Sequence, residues 1–250
     1  ITDFLKEKGV TMIIGNKAEN INTHIDLVVY SPAVPPNNPE FKKAKELGIL
    51  LKSYPEALGE LTKQYFTIAV AGAHGKSTTT AMIGLLLKKA GLDPTVIVGT
   101  KLKEFSGSNF RAGHGKYLVI EACEYDGSFL NYQPKIIVVT NVDKEHLDYF
   151  KTFANVKKTF KDFMLKLPKD GFLIANKDDK NTPTFAKPNF GINYYSTRQK
   201  EAKKLKLKIP GKHNISNALA AFEVARILGI EKKVALQSLN EYQGSWRRFE

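Results

Sequence analysis

The sequence predicts an α/β fold, a mostly parallel sheet with helices on both faces, and three observations carry that prediction. Short β-rich runs alternate with helical stretches along the chain: FTIAV, TVIVG, YLVIE, KIIVVTN and GFLIAN. Several of these runs are apolar throughout, the pattern of strands buried on both faces. Between the first run and its helix lies a glycine turn followed by lysine, serine and threonines, AGAHGKSTTTAM.

Taken in order, residues 1–62 predict a small α/β unit of partial Rossmann-like character. Its strands are VTMIIG, IDLVVYS and GILLKS, with helices near Pro39–Leu47 and Glu56–Thr62. Pro39 after Asn38 reads as a helix start. The loop SPAVPPNNPE lines a ligand crevice or is a stiff connection; its residues fit both readings. Residues 63–243 predict the larger unit. Strand Phe66–Ala71 feeds the glycine turn and a helix over Thr78–Ala90. Strand TVIVG leads to a Gly-rich loop, YLVIE into EACEYDGSFL, and KIIVVTN into VDKEHLDYF. A helix near Phe153–Lys166 precedes GFLIAN. A lysine-rich region, read as a hairpin, separates that strand from a long helix ending at Leu228 and another over Lys232–Leu239.

With 250 residues and 42% apolar content, the chain is long enough for a sizeable core. No run has the length of a membrane span, and ITDFLKEKG lacks the pattern of a signal peptide. One cysteine, Cys123, excludes an intrachain disulfide and points to a cytoplasmic chain. The net charge of +13 raises the question of nucleic acid. The basic residues are mostly lysines spread along the chain, without interleaved aromatics, which predicts a solvated surface and no nucleic-acid partner. The start without Met, in mid-helix, and the stop just after GSWRRFE predict a piece of a longer protein.

The candidate site begins at the glycine turn. A strand, a glycine turn and a helix N-terminus aim bare N–H groups and a positive dipole end into the turn, which favours phosphate. Gly72, Ala73, His74, Gly75, Lys76, Ser77 and Thr78 form that cradle. Lys76 is placed to reach nucleotide β/γ-phosphates and the Ser77 hydroxyl to hold Mg²⁺. Val70 stands where the generic motif has glycine, and the plain alternative is a capped helix. Glu121 ends YLVIE and His146 follows KIIVVTN. Carboxyl ends of parallel strands converge, so Ser77, Glu121 and His146 form a candidate site for Mg²⁺ or Mn²⁺. Taken singly, Glu121 reads equally as a turn cap and His146 as a surface residue. His213, Asn214 and Asn217 share one side of the long helix's first turn, suited to an adenine edge, although one asparagine could be a cap.

Five ordered segments resemble the Mur ligase family, ATP-dependent peptide-bond-forming enzymes of peptidoglycan synthesis. They are AGAHGKSTTTAM, EACEYDGSFL, TNVDKEHLDYF, GKHNISNALAA and GSWRRFE. The resemblance implies ATP and Mg²⁺ as cofactors, with Lys76, Glu121 and His146 at the catalytic centre. It implies Arg247 or Arg248 near phosphates, and Asn109, Arg111 and Asn141 facing a nucleotide-sugar substrate. Residues 1–62 would be part of a nucleotide-sugar domain and 63–243 an ATP-binding domain. Residues 244–250 would begin a linker to an amino-acid-binding domain. The loop histidine, the FL…QP ending and RRFE resemble the branch that joins L-alanine to UDP-N-acetylmuramate through an acyl phosphate. A murein-peptide recycling branch is the alternative, as is an ATP-binding fragment without ligase activity. Cys123 and Glu145 stand where the family usually has aspartates.

Overall fold

The computed structural model describes residues 2–7, 9–184 and 188–246. The chain divides into two compact units, Ile1–Leu58 and Gly59–Glu250.

In the first unit, α1 (Thr2–Glu7) precedes β1 (Leu27–Tyr30), α2 (Pro39–Glu46), β2 (Leu50–Ser53) and the start of α3 (Tyr54–Thr62). Strands β1 and β2 pair in parallel, Leu27 opposite Leu50. The predicted helix start holds: Pro39 opens α2, and the Asn38 side chain accepts from the N–H groups of Glu40 and Phe41 at 2.9 and 3.2 Å. The expected strand VTMIIG does not form. Ile13 and Ile14 are exposed, and the run pairs with no strand among the described residues. Apolar character without a neighbouring ladder leaves backbone groups in water, and a strand gains nothing there.

The second unit is built on seven strands: β3 (Phe66–Ala71), β4 (Thr95–Leu102), β5 (Ser108–Arg111), β6 (Tyr117–Glu121), β7 (Ile136–Val139), β8 (Phe172–Asn176) and β9 (Gly191–Tyr195). Their order is β5-β4-β6-β3-β7-β8-β9, parallel throughout except β5. The mostly parallel α/β fold is therefore as predicted, with two local corrections. The Gly-rich loop contains the short antiparallel edge strand β5. Where a hairpin is expected, the chain instead forms β9, parallel to β8.

Against one face of the sheet pack α4 (Lys76–Lys89) and α7 (Lys212–Ile227), and α8 (Lys232–Glu241) packs on those two helices. Ile68 and Val70 of β3 face this cluster with Ile83, Leu86 and Leu219. Each such buried side chain contributes roughly 1.5–3 kcal/mol. Ala69, Ala71, Ile137 and Val139, of opposite parity, are equally buried, so the second face is covered too. Beyond it, α6 (Phe153–Met164) supplies Phe160 and Phe163, which pack on Phe129 at ring distances of 5.4 and 4.3 Å. A short helix, α5 (Leu147–Phe150), lies just before α6.

Candidate functional site

The parallel strands bring four chain segments to one end of the sheet. After β3 the chain turns through Gly72 (φ 137°) and Gly75 (φ 85°), conformations open to glycine. Both glycines are also tightly packed. A Cβ on Gly72 would fall 2.0 Å from Thr140 Oγ1, and one on Gly75 would fall 2.4 Å from Asn217 Oδ1. The N–H of Thr79 is the donor that closes onto Gly75 O, at 2.9 Å. The first-turn N–H groups of Lys76, Ser77 and Thr78 thus belong to the helix end that faces the turn.

Lys76 and Ser77 each meet a carboxylate. The Lys76 ammonium donates to Gly72 O at 2.6 Å, Ala73 O at 3.2 Å and Glu124 Oε1 at 3.1 Å. Glu124 Oε2 lies 2.9 Å from the same nitrogen, outside hydrogen-bonding geometry, so that buried oxygen has no hydrogen-bond donor. The Ser77 hydroxyl donates to Glu121 Oε1 at 3.1 Å, and Gly99 N donates to Glu121 Oε2 at 2.6 Å. Of the expected metal set, the structure therefore brings Ser77 and Glu121 together. It gathers His146 with two other carboxylates: one ligand atom each from Glu124, Glu145 and His146 lies within 4.8 Å of the others. His146 Nε2 is 4.0 Å from Glu124 Oε1. Glu124 is 1% exposed and was absent from the sequence reading. The available signal was the second glutamate of EACE, three residues after Glu121.

The loop is braced from β7. Asn141 Oδ1 accepts from His74 N and its Nδ2 donates to His74 O, both at 2.9 Å. Thr140 Oγ1 also donates to His74 O, at 2.6 Å. Asn176 Nδ2 in turn donates to Thr140 O at 2.8 Å. Asn141, expected to face substrate, thus spends both amide atoms on the phosphate loop's backbone. The His74 ring sits between Asp143 and Glu145, at 3.9 and 3.4 Å.

Of the α7 residues, His213 is exposed while Asn214 and Asn217 are buried. Asn214 Nδ2 donates to Pro210 O at 2.6 Å, so it bonds backward within the turn; the N-cap position is Gly211. Asn217 abuts Gly75, which ties α7 to the phosphate loop. Asn109 is exposed on β5. The Arg111 guanidinium engages the Asp93 carboxylate and donates to Pro94 O at 2.5 Å. That guanidinium, followed by the N–H and ring of His114, holds the Asp93 carboxyl well below the usual range. Arg247 and Arg248 lie outside the described residues.

The donor set fits an oxygen-preferring divalent cation beside a phosphate: two carboxylates and an imidazole, next to a hydroxyl and a lysine. The two glycines leave bare backbone where a Cβ would otherwise intrude.

Residues 1–66 match the family description "Mur ligase family, catalytic domain", and residues 70–203 match "Mur ligase middle domain". The chain is 43% identical to the UDP-N-acetylmuramate–L-alanine ligase of Caldicellulosiruptor saccharolyticus, covering 100% of this chain and 60% of that protein. With the enzyme of the same name from Aquifex aeolicus it is 42% identical, with the same coverage. A solved UDP-N-acetylmuramate-alanine ligase from Thermotoga maritima superposes with a TM-score of 0.85 at 27% identity, over 99% of this chain and 61% of the other. The chain thus spans about three-fifths of the length of these relatives. The chain belongs to the Mur ligase family.

Proposed function

We propose that this chain carries the ATP-binding domain, with part of a nucleotide-sugar domain, of a ligase that joins L-alanine to UDP-N-acetylmuramate. The observation that carries the reading is the pairing at the head of α4, where Lys76 faces Glu124, itself 4.0 Å from His146, and Ser77 faces Glu121. The substrates follow the names of relatives 37–43% identical over at least 98% of this chain. Residues 1–62 are assigned to the nucleotide sugar, 63–243 to ATP, and 244–250 to a linker toward an amino-acid domain.

The chemistry is the attack of a carboxylate on the γ-phosphate of ATP, releasing ADP, then of an amine on the acyl phosphate, releasing inorganic phosphate and a proton. Mg²⁺, when bound, neutralises phosphate charge and polarises the transferred group. This chain's own work is positional. The N–H groups at the head of α4 and the Lys76 ammonium orient the β- and γ-phosphates. Ser77, Glu121, Glu124, Glu145 and His146 would hold the metal. Asn141 and Thr140 keep His74 and the turn in shape, and Asn214 and Asn217 set α7 against it. Ligation also needs the amine held against the acyl phosphate, so these residues alone should release phosphate slowly at most and form no product.

The test is Mg-ATP binding read by thermal shift. The wild type should gain stability with nucleotide, and Lys76→Ala should lose that gain. The apo variant should also melt lower, because removing Lys76 strands the buried Glu124 carboxylate, at a cost of about 3 kcal/mol. An equal nucleotide shift in both proteins would overturn the assignment. In the full-length protein, phosphate release should depend on UDP-N-acetylmuramate and L-alanine, whereas the recycling branch would require a peptide.

A further inference from the structure

Resting on the nucleotide reading above, we infer that Glu124 is a positioning residue that changes partners. It holds Lys76 down whenever the phosphate loop carries no anion, and it is handed to a divalent cation when phosphate takes Lys76 away. Phosphate and cation thereby become coupled through one carboxylate.

A lysine ammonium has three N–H groups, and here they face Gly72 O, Ala73 O and the Glu124 carboxylate. None is left for a phosphate, so an anion in the loop must displace one of these acceptors. The two carbonyls are fixed by the turn that Thr140 and Asn141 brace, which leaves Glu124 as the partner that can be given up. Glu124 is 1% exposed, and once released it is a buried anion without a counter-charge, a costly state. Its second oxygen lies 2.9 Å from the same ammonium and accepts no hydrogen bond from elsewhere among the described residues. His146 and Glu145 present their ligand atoms within 4.8 Å of that carboxylate, so a divalent cation there would restore neutrality. Glu121 cannot substitute in the exchange: its oxygens are engaged by Ser77 and by Gly99 N. Because coupling between two ligands is reciprocal, whatever the cation gains from phosphate, phosphate gains from the cation.

Mn²⁺ alone, followed by electron paramagnetic resonance without nucleotide, tests the exchange on its own. Wild type should bind weakly, because Lys76 occupies Glu124. Lys76→Met should bind roughly tenfold tighter, the scale of one charge-assisted hydrogen bond released. Loss of a nearby positive charge would by itself favour any cation, so the double variant Lys76→Met/Glu124→Gln is decisive. Its affinity should fall back to the wild-type value. No gain in Lys76→Met, or a gain that survives in the double variant, overturns the inference.

A second arm leaves Lys76 intact, and decides the matter should Lys76→Met not fold. Glu124→Gln should bind metal-free ATP, in the presence of a chelator, roughly tenfold tighter than wild type, since no charged partner has to be displaced. Unchanged or weaker binding overturns the exchange. Failure of the nucleotide reading looks different: wild type and Lys76→Met would then bind metal-free ATP equally, whatever Mn²⁺ does.

Discussion

Gly75→Ala probes the junction of the phosphate loop and α7, and its cost divides into two parts. The first is backbone: φ at Gly75 is 85°, and an alanine held in that region loses about 1–2 kcal/mol. The second is contact: the new Cβ would lie 2.4 Å from Asn217 Oδ1, which is closer than real Cβ atoms approach. Asn217 is 6% exposed and lies one turn from the equally buried Asn214, so its side chain has little room to retreat. Overpacking of this kind costs about 1–3 kcal/mol, for a total of roughly 2–5 kcal/mol. Gly91→Ala is the control. Its φ is 76° and nothing lies within 4 Å of a built Cβ, so only the backbone part applies. In urea unfolding, Gly75→Ala should therefore lose more stability than Gly91→Ala by about 1–3 kcal/mol. Adding Asn217→Ala should recover most of that difference. Equal losses at the two glycines, or no recovery in the double variant, would refute the packing argument.

Two further outcomes follow from the bracing around the site. Asn141→Asp keeps the acceptor for His74 N but replaces the donor to His74 O with an anion facing a carbonyl. It should weaken Mg-ATP by about tenfold while costing about 1 kcal/mol of stability, because the site is exposed to water; calorimetry and urea melts check the two numbers, and unchanged affinity would mean the brace is not needed. Asp93 carries a pH dependence. Its folded carboxyl is depressed by Arg111 and then His114, so its stabilising contribution is complete above the ordinary carboxylate value near ~4 and is withdrawn as pH falls toward the lowered one. The gap in melting temperature between wild type and Asp93→Asn should be constant above pH ~5 and shrink below it. A gap that does not narrow in acid would refute that assignment.

What the sequence made legible is what local chemistry determines. The strand, glycine turn and helix at Phe66–Lys89 announce themselves through φ-permissive glycines, a β-rich run and a helical pattern, all within one segment. The same holds for Asn38 and Pro39, whose capping roles depend on their immediate neighbours. The misreadings have the opposite character. VTMIIG has the composition of a strand, yet a strand exists only where another lies beside it. GINYY lies in the region read as a hairpin, whereas its register, Phe172 opposite Gly191, makes it a parallel strand, a long-range pairing that no local pattern marks. Glu124 is the sharpest case. In EACE, two glutamates three residues apart are chemically identical, and no periodicity says which meets the lysine 48 positions away. The turn after β6 decides it, with Asp126 (φ 54°) and Gly127 (φ 64°) bending the chain just beyond. Glu121 is left on Ser77 and Gly99, while Glu124 is buried against Lys76. A site made at the ends of several parallel strands is legible one strand at a time; which carboxylate faces which cation is a property of the loops, and those are settled by tertiary packing.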